Sequence, residues 1–182
     1  MININEIKLL KMSSGENSIK AAYKLLQESL GMNYISFLEF CDNIKDNQVI
    51  IKTNNNEVVG VLLFKIQTEK EFFDNYKIIN KFDNIKILNL KTIAVKYPKQ
   101  GIGSELVKHC IDKYKKYVNK FYSPLWKSSN GINAKKLFEH FGFIYVAEVG
   151  NYWYEDSIGK NNYCPICNTP CKCSLIVYCK DE

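Results

Sequence analysis

Hydrophobic positions along the chain alternate between a strand-like and a helix-like period. Ile4 to Met12 reads as a first strand, closed by the turn and capping residues Ser13-Ser14-Gly15-Glu16. Asn17 to Leu30 carries Ile19, Ala22, Tyr23, Leu26 and Leu30 at helical spacing, and Gly31 stops it. Asn33 to Ile44 reads as a second helix with Ile35, Leu38 and Cys41 on one face. Cys41 is read as a core residue rather than a nucleophile, because small buried cysteines are common. Val49–Thr53 and Val58–Ile66 form a hairpin around Asn54-Asn55-Asn56.

Thr68 to Asn84 fits neither period cleanly. It mixes charge with Phe72, Phe73, Tyr76, Ile78, Ile79 and Phe82, and an ordinary surface excursion is favoured slightly over a helix covering one edge of a site. Ile85 to Val95 reads as the central strand. Gly101 to Val118 is amphipathic, with Ile102, Leu106, Val107, Cys110, Ile111 and Tyr114 on its apolar stripe. Phe121–Trp126 is a further strand, Asn130–Phe141 a short helix, and Phe143–Tyr154 a long strand that pairs with a last one at Ser174–Tyr178. The expectation is one domain over residues 1–182, including a cysteine-rich excursion at 161–174.

Charge changes this picture little. The net charge is +6 and every one of the 25 basic residues is a lysine. Such a balance favours anionic ligands without singling out nucleic acid. Lys108, Lys113, Lys115 and Lys116 lie off the apolar stripe, where a solvated helix face is favoured over a nucleic-acid surface. No segment is apolar enough to span a membrane, so no membrane partner is expected. Met1 to Glu6 lacks the basic and apolar regions of a signal peptide. A cytoplasmic, reducing setting is therefore expected, where structural disulfides are rare.

The central strand runs through Lys99-Gln100-Gly101-Ile102-Gly103-Ser104 into the amphipathic helix. Backbone N–H groups in a first helical turn lack intrahelical partners, and the helix dipole adds partial positive charge there. An anion fits such a place, and the glycines let a phosphate come close to the backbone. No Gly-Lys-Ser/Thr follows for a Walker loop, and the three-glycine dinucleotide fingerprint is absent. Further on stands Asn133-Ala134-Lys135-Lys136-Leu137-Phe138-Glu139-His140-Phe141-Gly142-Phe143.

These two segments, in this order, resemble the GNAT superfamily of acyl-CoA-dependent N-acyltransferases. That family has Arg/Gln-x-x-Gly-x-Gly/Ala after its fourth strand and Ala-x-x-Leu-Tyr-Glu-x-x-Gly-Phe later. The specific likeness lies within residues 88–145. The resemblance implies an α/β (α+β) fold, a mixed and mostly antiparallel central sheet flanked by helices. It implies acetyl-CoA as cosubstrate and an amine-bearing acceptor, small molecule or protein. It also implies that the first two helices and their loop help form the acceptor side. By the same resemblance Ile93, Ala94 and Val95 contact pantetheine, and Lys99, Gln100, Gly101, Gly103 and Ser104 contact the pyrophosphate.

Three positions depart from the family. Its opening Arg/Gln falls on Pro98, which has no N–H to donate, and Lys96 or Lys99 would compensate. Its carboxylate on the central strand falls near Asn89, which cannot act as a base near neutral pH but can position a water. Its tyrosine acid falls on Phe138. Candidate substitutes are Tyr145, Glu148, Tyr152 and Tyr154 on the long strand, with Tyr152 and Tyr154 sharing one strand face, or Ser128 and Ser129. Positioning alone supplies much of the rate in such reactions.

Cys164, Cys167, Cys171 and Cys173 form the other dense motif. Four thiols at this spacing suit one tetrahedral ion, and zinc is favoured as sulfur-tolerant and redox-inert. Iron–sulfur, a disulfide and free thiols are the alternatives, and Cys179 is an alternative ligand. A four-sulfur site leaves no open position, so its role would be structural. The leading function is acetyl transfer from acetyl-CoA to a primary amine. The alternatives are a non-catalytic acyl-CoA-binding regulatory module and a zinc-bearing nucleic-acid-binding or modifying protein.

Overall fold

The computed structural model describes residues 5–31, 34–79, 83–159 and 164–182. Ile4, Asn33, Phe82 and the opening of the cysteine-rich excursion, 161–163, lie outside the described residues. The chain forms two compact units. One holds Met1–Phe64 with Thr92–Cys110; the other holds Lys65–Lys91 with Ile111–Glu182.

In the first unit, β1 (Asn5–Leu9) pairs antiparallel with β2 (Val49–Asn54). The strand is shorter than its apolar pattern suggests, because Met12–Ser14 turns into a 3-10 helix. β2 then pairs antiparallel with β3 (Glu57–Thr68) through a two-residue turn. Asn55 and Asn56 both adopt positive φ, 47° and 67°, as a tight hairpin of this hand requires. α1 (Glu16–Leu30) and α2 (Phe37–Lys45) bury Leu26, Phe40 and Ile44 against Val49, Ile51, Val61 and Leu63. α2 starts late because Ser36 caps it, its hydroxyl accepting from the Glu39 N–H. The shorter helix re-phases the face: Phe40 and Ile44 point inward, Leu38 is 70 % exposed and Cys41 half-buried.

β4 (Lys86–Val95) contributes its last residues to this unit and feeds α4 (Ile102–Tyr114). α4 packs where β3 has no side chain. A Cβ on Gly60 would lie 2.7 Å from Ile102 Cγ2 and 2.8 Å from Leu106 Cδ1. Gly60→Ala is therefore expected to cost roughly 1–3 kcal/mol by overpacking, read as a lower urea midpoint at unchanged m-value.

The second unit begins with the end of β3 and α3 (Glu69–Asn75). Here the favoured surface excursion is corrected. Thr68 and Glu71 form a capping box, and Phe72 and Phe73 are buried against Ile87, Tyr122, Leu175, Val177 and Cys179. β4 pairs parallel with β5 (Lys120–Ser128), and this ladder covers Ile87–Asn89 opposite Lys120–Tyr122. β6 (Gly131–Ile132) folds back on β5. The expected helix from Asn130 thus shrinks to α5 (Lys135–His140), because Gly131 (φ 106°) and Ala134 (φ 58°) break it. β7 (Ile144–Val149) also ends early: Gly150-Asn151 turns the chain, with Asn151 at φ 51°, into α6 (Tyr154–Gly159). β8 (Ser174–Asp181) pairs antiparallel with both β5 and β7. The strand order is β1-β2-β3-β4-β5-β8-β7, a mostly antiparallel sheet.

Candidate functional site

In the first unit the glycine-bearing turn is open to solvent. Lys99, Gln100 and Gly101 are exposed, and Gly103 and Ser104 are half-buried. Lys99 (φ 64°) and Gly101 (φ 79°) take left-handed backbone conformations that let the strand swing sharply into α4. The Glu105 N–H bonds back to the Gly101 carbonyl at 3.0 Å, and the N–H groups ahead of it in a first helical turn have no intrahelical partner. Glu105 would oppose an anion there, but Lys52 Nζ holds its carboxylate at 2.5 Å, with the lysine side chain 8 % exposed. Lys96 is engaged as well: its ammonium pairs with Glu57, which raises the lysine's pKa and lowers the carboxylate's. Lys99 is exposed in the same turn. Ile93 and Val95 are half-buried and Ala94 is buried in the core. Nearby in this unit, the Tyr34 hydroxyl meets Thr92 Oγ1.

In the second unit Asn89 is 3 % exposed. Its Nδ2 donates to the Tyr76 hydroxyl at 3.1 Å, while its Oδ1 is buried without a hydrogen-bond donor. The Tyr76 ring packs on Phe72 at 4.8 Å and faces Tyr152 at 6.1 Å between centroids. Beside it, buried Glu69 accepts from the Tyr122 hydroxyl (2.5 Å), Lys120 (3.3 Å) and the Asp83 N–H (2.6 Å). Burial, then the bond to Glu69, pushes the Tyr122 phenol far above its usual range, so it stays a donor. Ser123 adds a bond to the Leu90 carbonyl just past the end of the β4–β5 ladder.

The structure brings Asn89 and Tyr152 together through Tyr76. It separates the others. Tyr152 and Tyr154 do not share a strand face, because β7 ends at Val149: Tyr152 lies in the following turn and Tyr154 opens α6. Tyr145 is 57 % exposed on β7 and meets Tyr178 instead. Glu148 binds Lys127 with both carboxylate oxygens at 2.9 Å, which holds its carboxyl low. Phe138 is a packing residue against Phe143. Tyr76 and Glu69 were missed from the sequence. The usable signal was Thr68-x-x-Glu71 ahead of Phe72-Phe73, the mark of a helix start.

The sulfurs of Cys164, Cys167, Cys171 and Cys173 all lie within 4.8 Å of one another. Their close pairs are 3.4, 3.6, 3.6 and 3.9 Å apart. A disulfide needs about 2 Å, whereas a tetrahedron with zinc–sulfur bonds of 2.3 Å sets sulfurs about 3.8 Å apart. The donor set therefore fits zinc. Burial pushes the Cys167 thiol up, but the Lys172 N–H at 3.2 Å and the three neighbouring sulfurs outweigh it and hold Cys167 at about 7. Burial raises Cys171, and Cys173 to about 11. Trp126 and Trp153 cover the cluster, and the Ser157 hydroxyl accepts the Cys171 N–H at 2.8 Å. Cys179 stays outside it, packed beside Tyr122 and Phe72.

A family model described as Acetyltransferase (GNAT) family matches residues 19–143. The chain belongs to the GNAT family. The fold agrees at full length with solved N-acetyltransferases. A NatC complex bound to a Gag peptide and CoA superposes with a TM-score of 0.71 at 16 % identity, covering 98 % of both chains. The ribosomal-protein-S18-alanine N-acetyltransferase of Escherichia coli gives 0.67 at 20 % identity, covering 98 % of this chain and 94 % of its own. A curated relative, the telomere-binding protein I1 homolog of Fowlpox virus (strain NVSL), is 30 % identical over 133 residues, which is 69 % of this chain. The chain spans 40 % of the length of that relative. Among the described residues no helix is long and apolar enough to cross a membrane.

Proposed function

We propose that the chain transfers an acetyl group from acetyl-CoA to a primary amine. The observation that carries this is the α4 turn of a GNAT-family chain. The amides of its first helical turn lack intrahelical partners, Lys99 and Gly101 take left-handed backbone conformations, and its first-turn carboxylate is paired with Lys52. Lys99, Gln100, Gly101, Gly103 and Ser104 hold the pyrophosphate of acetyl-CoA. The backbone of Ile93, Ala94 and Val95, late on β4, receives the pantetheine arm. Asn89, earlier on the same strand, and Tyr152 stand on the acceptor side. The neutral amine attacks the thioester carbonyl, a C–N bond forms and the C–S bond breaks. The thiolate leaves as coenzyme A, and the amine's proton passes to water. Tyr145 and Tyr154 take no part.

Cys164, Cys167, Cys171 and Cys173 hold one zinc ion in a structural role, since four sulfurs complete its shell. Calorimetry with acetyl-CoA followed by thiol release over an amine panel tests the transfer. Micromolar binding and amine-dependent thiol release are expected; tight binding with no turnover on any amine would leave an acyl-CoA-binding regulatory module. The likeness to a telomere-binding protein homolog favours a second reading, an acetyltransferase that works on or beside nucleic acid. Salt-dependent retention on DNA supports it, and passage through at low salt removes it.

A further inference from the structure

On β2, Lys52 follows Val49, Ile50 and Ile51, all fully buried, and is itself only 7 % exposed. A lysine at that depth is held by a partner for its charge. Two features of the hairpin send it to α4. Lys52 lies opposite Gly60, and the β2–β3 register steps immediately after it, from Lys52–Gly60 to Thr53–Val58. Such an irregularity re-aims a neighbouring side chain. Gly60 leaves the notch that receives Ile102 and Leu106, so the first turn of α4 seats on β3. The Lys52 ammonium then meets Glu105 at 2.5 Å. The pair is lopsided: the Glu105 side chain is 52 % exposed and the lysine side chain 8 %. An apolar residue would seat the helix without the desolvation that a buried ammonium costs. What the lysine adds is charge, delivered to a turn that also carries a carboxylate.

We infer that Lys52 is a positioning residue for the pyrophosphate of acetyl-CoA: paired with Glu105, it removes a carboxylate's repulsion from the α4 turn. The inference rests on the acyl-transfer reading above and on its placement of the phosphates. Taking away the ammonium leaves Glu105 facing a ligand of its own sign. Taking away the carboxylate leaves the ammonium to act on the phosphates instead. The two changes therefore move cofactor affinity in opposite directions, and made together they cancel. A lysine that only docked α4 against the sheet would do neither. Glu105 is half in solvent, so the effect is moderate and falls as salt rises.

The experiment measures acetyl-CoA and S-acetylpantetheine, which lacks the pyrophosphate, by calorimetry at low and high salt. Lys52→Met is expected to weaken acetyl-CoA roughly tenfold at low salt and clearly less at high salt. Glu105→Gln should bind it as well as wild type or up to about threefold tighter. The double variant should return to within about twofold of wild type. Acetylpantetheine should bind all four proteins alike. In turnover the loss should fall on the KM for acetyl-CoA and leave kcat in place. The melting temperature of Lys52→Met should hold, since an apolar side chain replaces a buried ammonium. Should it fail to fold, Lys52→Gln takes its place in the same cycle. An equal loss for acetylpantetheine, no recovery in the double variant, or weaker binding by Glu105→Gln overturns the inference while acyl transfer stands. Wild-type protein that does not bind acetyl-CoA overturns both.

Discussion

Gly103→Asp is expected to weaken acetyl-CoA binding at least about a hundredfold, roughly 2.7 kcal/mol, while leaving the unfolding midpoint unchanged or slightly raised. The two halves of that result have one cause. Residue 103 lies in the first turn of α4, where the outward amides and the helix dipole attract negative charge. An aspartate there satisfies the dipole from within the chain and replaces a glycine, so helix stability rises by a few tenths to about 1 kcal/mol. The same carboxylate then occupies the place of a phosphate oxygen and repels the rest. Lys52, the buried lysine paired in this turn, is already engaged by Glu105. Gly103→Ala separates bulk from charge and should lose far less. Calorimetry at two ionic strengths checks this, because the charge part shrinks as salt rises. Unchanged affinity in a folded Gly103→Asp protein would remove the α4 turn as the pyrophosphate anchor.

The parts legible in the sequence were those fixed by local chemistry. The Asn55-Asn56 turn, the glycines before α4 and the four cysteines each carry their geometry in a few adjacent residues. Strand ends were less legible. β7 looked long because Tyr152 and Tyr154 continue its alternation, yet Asn151 at positive φ ends it and sends both tyrosines elsewhere. α5 looked long for the matching reason, since Ala134 at positive φ is invisible to hydrophobic periodicity. Glu69 and Tyr76 were hidden more deeply. Each matters through a partner far along the chain, Tyr122 and Asn89, and parallel pairing of β4 with β5 is what sets Asn89 beside Tyr122. Only the capping box at Thr68 announced that the intervening segment was a helix.

Metal removal is expected to reach further than the cysteine loop. The preparation should contain about one zinc per chain without added metal, held by Cys164, Cys167, Cys171 and Cys173. Binding to such a loop is coupled to its folding. With free zinc a thousandfold above its Kd, the ion adds about 4 kcal/mol, so a strong chelator should lower the melting temperature by several degrees. Three contacts carry the effect outward. The Tyr152 N–H donates to the Cys173 carbonyl at 3.1 Å, the Cys171 N–H is received by Ser157, and Trp153 packs on both the sulfurs and the neighbouring core. Loosening them frees the turn that bears Tyr152, and with it the ring facing Tyr76. Chelated protein, and Cys167→Ser, should therefore show a higher amine KM with acetyl-CoA affinity nearly intact, since the α4 turn belongs to the other unit. Zinc-free wild-type protein with four freely titratable thiols would sink the assignment, and a visible charge-transfer band would replace zinc with iron.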